Sequence, residues 1–523
     1  MDFLIHHMLR SSAARLPEKE ALVGGDQRLS YAEVWARVRG LAAGIQRAGI
    51  ERSDRVGVFL DASVEQAISI FAVSRAECVF VPINGVLLQD QVSHIARDCR
   101  MRCLIISASK LSAIAPALSS IPTLERLIVV GGDAPPGTPL PADSYEALCA
   151  GVPGSDSPER SIEKDLAAIL YTSGSTGKPK GVMLSHAQVM AGATIVSTYL
   201  EITESERILA VLPFSFDAGM NQIMTAFQRG ATIVLKPFVF ARELVSALKA
   251  ERITGLAGVP TLWGLLAQPS SSLSKGTYPH LRYITNTGGV MPQDVLATLR
   301  SALPATRVFL MYGLTEAFRS TYLPPSELDR RPTSMGKAIP DTEILVVDEN
   351  GRRCGPGETG ELVHRGPTVS MGYWGQPELT ARMLRPHPFL PAELGDTERV
   401  CYSGDLVKTD EDGFLYFIGR RDNMIKSSGY RISPTEVEEV LFQSGMVQGA
   451  AVIGVPDPML GAIVVAFVVP SEGGAFDPAS LKAYCAEKMP PYMLPKTIEV
   501  LDHLPKTSSG KVDYPALRRR TEI

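Results

Sequence analysis

Cysteine is scarce in this 523-residue chain: Cys78, Cys99, Cys103, Cys149, Cys354, Cys401 and Cys485 are all there are, and no two are spaced as CxxC. That excludes a disulfide framework and a zinc ribbon. Long apolar runs are also lacking. The longest, residues 462–469, is far short of the ~20 residues that span a bilayer. Neither sign of charge is in excess, since 52 Lys and Arg face 56 Asp and Glu for a formal charge of −4. A chain so balanced has no electrostatic footprint for nucleic acid or an acidic membrane surface, so neither is expected as a partner. The start, Met1-Asp2-Phe3-Leu4-Ile5-His6-His7, has no basic stretch leading into an unbroken apolar one, so no signal peptide is expected. These absences predict a reduced, soluble, cytoplasmic protein. Disorder is excluded by 45% hydrophobic against 21% charged residues.

What is present falls into three textures. Short apolar runs at 55–60, 78–83, 102–106, 124–130, 166–170, 207–212, 231–235, 281–285 and 307–311 alternate with helix-length amphipathic segments at 63–74, 187–198, 241–250 and 292–301. Buried runs separated by helices predict parallel sheets of βαβ units. Near residue 340 the pattern becomes short strands with turn signals at Asp348-Glu349-Asn350-Gly351 and Thr409-Asp410-Glu411-Asp412-Gly413, predicting antiparallel β and a small barrel. After Gly419-Arg420-Arg421-Asp422 a third texture starts. Ser433-Pro434-Thr435-Glu436 predicts a capping box opening a helix to about Phe442; strands follow near 450–455 and 463–469; Asp477 caps a last helix to about Met489. The Gly/Pro/Ser-rich residues 151–157 predict a surface loop.

The strongest local signal is Tyr171-Thr172-Ser173-Gly174-Ser175-Thr176-Gly177-Lys178-Pro179-Lys180-Gly181, between an apolar strand and a helical pattern. Glycines and hydroxyl residues let backbone N–H groups converge on an anion while lysine adds charge, so this string predicts a phosphate-binding loop. It is not a Walker A loop, because two residues rather than four separate Gly174 from Gly177 and Pro179 follows Lys178.

This string resembles the signature of the AMP-forming adenylate enzymes: acyl-CoA synthetases, adenylation domains and luciferases. The resemblance continues in order through Met311-Tyr312-Gly313-Leu314-Thr315-Glu316, Tyr402-Ser403-Gly404-Asp405, Gly419-Arg420-Arg421-Asp422, Lys426-Ser427-Ser428-Gly429-Tyr430-Arg431-Ile432 and Pro505-Lys506-Thr507-Ser508-Ser509-Gly510-Lys511. It implies an α/β protein. A large N-terminal domain of layered α/β subdomains plus a β-barrel part (residues 1–418) would be followed by a hinge (419–422) and a small mobile α+β C-terminal domain (423–523).

The resemblance also implies a two-step reaction. A carboxylate attacks the α-phosphate of ATP and expels pyrophosphate; a phosphopantetheine thiol then attacks the acyl-adenylate and expels AMP. On this basis Thr172, Ser173, Gly174, Ser175, Thr176, Gly177 and Lys180 hold phosphates, and Glu316 binds Mg2+, a hard cation suited to carboxylate and phosphate oxygens. Thr315 donates to the α-phosphate or the carboxylate, and Lys511 is the catalytic lysine. Asp405 accepts from the ribose hydroxyls, or caps a turn. Tyr312 packs on adenine, or only on the core. Gly288 and Gly289 admit the nucleotide, or form a strand-end turn. Arg420 contacts ribose or phosphate and Asp422 is the hinge, or either is an interdomain salt-bridge residue. Lys426 and Gly429 belong to the turn lining the thiol channel, and Gly429 is equally explained as a turn glycine. His186 is structural.

For the acyl group, Leu212-Pro213-Phe214-Ser215-Phe216-Asp217-Ala218-Gly219-Met220-Asn221 resembles the amino-acid-activating members, in which the aspartate faces the substrate ammonium. The alternative is that Asp217 caps a helix beginning at Ala218. Asn221, the Val259-Pro260-Thr261 loop, Asn286, Thr287, Met311, Arg319 and Ser320 complete the pocket, with Arg319 facing inward or outward. The chain contains no carrier segment of its own, so the expected acceptor is coenzyme A or a free-standing acyl or peptidyl carrier protein in trans. The expected substrate is a small carboxylic acid, first of all an amino acid. A fatty- or aryl-acid synthetase, a luciferase-like oxygenase and a non-catalytic nucleotide binder are the competing readings; retention of Glu316, Lys180 and Lys511 speaks against the last.

Overall fold

The computed structural model describes residues 2–151, 159–173, 179–236, 240–395, 397–427, 430–457, 460–471, 476–489, 491–507 and 510–521. The expected surface loop at 151–157 falls almost wholly outside them. The chain divides into two units. One is built from residues 1–174, 178–343 and 364–401, the other from 344–363 and 402–523. No helix among the described residues is long and apolar enough to cross a membrane.

The larger unit holds two sheets. The first has eight strands, in the order Gly372–Tyr373, Pro179–Ser185, Leu166–Ser173, Val79–Pro82, Arg55–Phe59, Cys103–Ser107, Arg126–Val130 and Ala142–Ser144. From Leu166–Ser173 onward its neighbours run parallel. These strands are apolar on both faces because helices cover both, which is why they read as unbroken hydrophobic runs. Helix Val64–Arg75 begins where predicted because the Ser63 hydroxyl accepts from the Gln66 N–H.

The second sheet has nine strands, in the order Lys337–Ala338, Ala317–Leu323, Arg307–Leu314, Tyr283–Asn286, Gly255–Gly258, Arg207–Ala210, Thr232–Leu235, Glu20–Gly24 and Gln27–Ser30. Its centre is parallel, and each terminal pair is antiparallel. Helices Ile5–Arg15, Tyr31–Arg47, His186–Tyr199 and Asp217–Arg229 contribute to the main core beside this sheet through Met8, Leu41, Val189, Phe227 and their neighbours. The N-terminal pieces, helix Ile5–Arg15 and the hairpin of Glu20–Gly24 with Gln27–Ser30, were not expected from the sequence pattern. The first helix buries Ile5, Met8, Leu9 and Ala13 in the main core and is also tied in by polar contacts. Glu159 accepts from Nε2 of His6 at 3.0 Å and of His7 at 2.7 Å, and His186 Nδ1 accepts from the Ile5 N–H at 3.2 Å. Burial pushes the His6 imidazole down to about 4 and His186 down to about 3.

In the smaller unit, Arg399–Thr409 and Leu415–Arg420 pair antiparallel, with the expected turn between them closed by the Asp410 carboxylate, which accepts from Asp412 and Phe414. The Asp348–Gly351 turn also forms, with Asp348 accepting from the N–H groups of Asn350 and Arg352. Its far side continues only as one bridge between Val347 and Arg353, not as a full hairpin. Further on, Val447–Asp457, Gly461–Pro470 and Thr497–Val500 form a three-stranded sheet. Helices Pro434–Gln443 and Pro478–Lys488 supply Val437, Leu441, Leu481 and Cys485 to the core of that unit. Both helices begin at the predicted caps: Ser433 accepts from Glu436, and Asp477 from Ala479 and Ser480. The fold class is therefore as expected, α/β layers with a β-barrel part and a smaller α+β C-terminal part.

Candidate active site

In an open parallel sheet, loops leaving the carboxyl ends of the strands create the crevice in which ligands bind. In the nine-stranded sheet those ends deliver the segment before Asp217, the Val259–Pro260 step, Thr287 to Gly289, and the hairpin that carries Thr315 and Glu316.

Asp217 is the first residue of helix Asp217–Arg229, one residue past the cap position, which Phe216 holds without a side-chain bond. Its carboxylate is 6% exposed, accepts from the Ala218 N–H at 2.7 Å and has no ion-pair partner among the described residues. The helix starts tight against the preceding chain because residue 219 is glycine: a Cβ there would stand 2.1 Å from the Pro213 carbonyl oxygen. Asn221, one turn on and hence on the same face, is buried, and its Nδ2 makes no hydrogen bond.

The Tyr312 motif forms a hairpin. Strand Arg307–Leu314 turns through Thr315 and Glu316 into Ala317–Leu323, with Leu314 opposite Ala317 and an irregular register between Tyr312 and Leu314. At the irregularity a Cβ on Gly313 would lie 2.9 Å from the Arg319 Cα, so glycine lets the two strands close. Thr315 and Glu316 are half-buried at the tip, not on a helix. The Tyr373 hydroxyl donates to Glu316 Oε1 at 2.6 Å. Tyr373 was not anticipated; its one sequence signal is position in Met371-Gly372-Tyr373-Trp374, a string with no evident chemistry.

Arg319 faces inward. It is 5% exposed with φ +69°, in the left-handed region that costs a non-glycine residue strain. Its Nη1 donates to Thr287 Oγ1 at 3.1 Å and its guanidinium lies 5.8 Å from the Phe318 ring; among the described residues Nε has no partner and no carboxylate is paired with it. Thr287 is fixed in turn by its N–H donating to the Gly258 carbonyl. Asn286 donates from Nδ2 to the Gly289 carbonyl, closing a turn in which Gly288 has φ +79°. Met311 receives the Tyr199 hydroxyl on its sulfur at 3.4 Å, and Tyr199 stacks on Tyr322 at 4.3 Å. Ser320 bonds His364 Nδ1 at 2.9 Å, and burial pushes that imidazole down to about 3, so it stays neutral.

Of the phosphate loop, Thr172 and Lys180 are half-buried opposite each other on the antiparallel strands Leu166–Ser173 and Pro179–Ser185. Gly174, Ser175, Thr176, Gly177 and the Ser173 side chain lie outside the described residues.

In the smaller unit, Asp405 and Arg420 prove to be partners. They sit opposite each other across two strands, Nη1 to Oδ1 2.7 Å, with Asp405 5% exposed. The sequence treated them separately because fifteen residues divide them. Arg421 pairs with Glu361 at 2.9 Å. Lys511 is exposed on a tight turn in which its carbonyl accepts from Thr507 and Gly510 takes φ +82°. Gly429 and the side chains of Asp422 and Lys426 lie outside the described residues.

Comparison with known proteins places this geometry. A family profile described as AMP-binding enzyme matches residues 9–374, and one described as AMP-binding enzyme C-terminal domain matches residues 436–511. A feruloyl-CoA synthase of Amycolatopsis sp is 32% identical over 96% of this chain and 96% of its own. An L-proline–[L-prolyl-carrier protein] ligase of Streptomyces coelicolor is 31% identical over 97% of this chain and 94% of its own. Among solved structures, the anthranilate CoA ligase AuaEII in complex with anthranoyl-AMP superposes with a TM-score of 0.89 at 26% identity, covering 99% of this chain and 97% of that one.

Proposed function

The chain belongs to the AMP-binding enzyme family, and from that premise we propose that it activates a small amino acid as the aminoacyl-adenylate and passes it to a phosphopantetheine thiol. It is an AMP-forming acid–thiol ligase, with ATP as the activating substrate and coenzyme A or a carrier protein as the class of acceptor. The observation that carries the amino-acid reading is Asp217, a buried carboxylate at the head of the pocket helix with no ion pair among the described residues. An ammonium entering beside buried Phe214 leaves water, and an unpaired buried cation is costly, so a fixed carboxylate selects for it.

In the adenylation step two anions meet, and groups of opposite charge belong where the negative charge accumulates. Thr172, Lys180 and the loop between them hold the β and γ phosphates. Thr315 donates to the α-phosphate. Glu316 fits Mg2+, since a hard cation takes a carboxylate oxygen with phosphate oxygens and water, and Tyr373 fixes the rotation of that carboxylate. The ion would neutralise charge on the phosphates. Asp405, oriented by Arg420, accepts from the ribose hydroxyls, which its two oxygens suit; Tyr312, Gly288 and Gly289 border the adenine. Lys511 supplies the cation between substrate carboxylate and α-phosphate, carried by a domain that begins after the hinge at residues 419–422.

A second reading, a synthetase for an aryl acid, is supported by the likeness to feruloyl-CoA synthase. Amino-acid-dependent exchange of pyrophosphate into ATP, measured across amino acids and simple carboxylic acids, separates them. Exchange with aryl acids and with no amino acid overturns the amino-acid reading; exchange with no acid at all overturns the ligase.

A further inference from the structure

We propose that Arg319 is the counter-charge for a second carboxylate on the acyl substrate, distant from the one that is activated, so that the enzyme takes an acidic amino acid or a diacid. The inference rests on the ligase reading for the identity of the pocket, but not on the role of Asp217. Three observations carry it. Arg319 is 5% exposed, yet among the described residues its guanidinium has one hydrogen bond, to Thr287, and no paired carboxylate. Its Nε is buried without an acceptor. Its backbone adopts φ +69°, against the preference of a side-chain-bearing residue, where a Cβ on Gly313 would stand 2.9 Å from its Cα.

A buried cation without a counter-ion is unfavourable in the free protein. Such a group persists where a ligand completes it, and a planar guanidinium matches a carboxylate through two parallel hydrogen bonds. A second buried donor, Asn221 Nδ2 on the pocket helix, also has no acceptor, while Asn286 Oδ1, beside Thr287, is a buried acceptor without a donor. Asp217 has the need opposite to that of Arg319, and the two form no ion pair. One pocket helix and one hairpin therefore present a lone anion and a lone cation, the complement of a substrate that carries both.

The test is a panel in which the amino group and the distal carboxylate vary independently: glutamate, norvaline, glutarate and valerate, with aspartate, 2-aminobutyrate, succinate and butyrate one carbon shorter. Adenylate formation is read as hydroxylamine-trapped product, as kcat/KM, for the wild type, Arg319→Met and Arg319→Lys. A site built around a polar group rejects the analogue lacking it strongly, so the acidic members should exceed their monoacid partners by on the order of 10²-fold or more. Arg319→Met should bring that ratio towards unity, and Arg319→Lys should restore part of it. A brace for Thr287 alone predicts equal loss for acidic and neutral members, which overturns the proposal, as does a wild type that prefers the monoacids. Preference for glutarate without preference for glutamate keeps the role of Arg319 and removes that of Asp217. Preference for norvaline over glutamate does the reverse.

Discussion

Asp217 separates two physical roles that a sequence cannot tell apart. Its carboxylate bonds the N–H of the next residue at the positive end of a helix, so it does complement the helix dipole. That role is worth ~1 kcal/mol of stability and makes no distinction between substrates. Pairing with an ammonium is different: removing one member of a buried pair costs ~3–5 kcal/mol. Asp217→Ala is therefore expected to lower kcat/KM for the amino acid by roughly 10²–10³, and to spare the des-amino acid. The ratio of the two constants, in wild type and variant, is the measurement; a ratio that does not move assigns Asp217 to the helix alone. The inward turn of Arg319 was illegible for a similar reason. Residue type does not say which face of a strand a side chain takes when the register slips, and the slip between Tyr312 and Leu314, although it falls inside a recognisable motif, shows only in the pairing of the two strands.

Elements were legible where one local rule decided them. Helix Ala241–Ala250 matches its predicted span, and Ser433 and Asp477 cap where expected. Elements decided by distant partners were not. Strand Glu20–Gly24 is a strand because Thr232–Leu235 lies beside it, and helix Ile5–Arg15 is anchored through Glu159 and His186. Helix Pro434–Gln443 holds a further group that pattern alone conceals. Burial raises the Glu438 carboxyl from 4.5 to about 7, although it accepts from the Val452 N–H and the Tyr514 hydroxyl. With the folded pKa above the unfolded one, the folded state binds more protons between those values, and stability falls as pH rises through the window from 4.5 to 7. Glu438→Gln removes that dependence. Its melting temperature should lie near the wild-type value at pH 5 and above it at pH 7.5; a difference independent of pH would mean that Glu438 ionises normally.

At the scale of the whole molecule, Lys511 and Gly429 are proposed to serve different halves of the reaction through a C-terminal domain that moves about Asp422, a hinge motion of the ordinary kind. Lys511→Ala should lower adenylate formation by on the order of 10²–10³, as for loss of one transition-state contact, and leave thioester formation from supplied acyl-adenylate nearly unchanged. Gly429→Leu should impair the thiol step and keep pyrophosphate exchange. Equal losses in both steps for Lys511→Ala, or loss of exchange in Gly429→Leu, would show that these residues are structural. The order of motifs along the chain is what suggests this division, while the pairing of Asp405 with Arg420 emerged only from strand register.

The strand Glu20–Gly24 must also wait for its partner while the chain is being made. Its parallel partner Thr232–Leu235 is about 200 residues further on, and at ~5–20 residues per second its synthesis follows roughly 10–40 s later. Through that interval Ala21, Leu22 and Val23, buried in the finished sheet, present an unpaired edge to solvent or to a chaperone. A nascent chain halted at residue 200 should be cleaved readily by added protease within residues 20–30, where the released full-length chain resists. Resistance already at 200 would mean that the first hairpin finds shelter before its sheet exists.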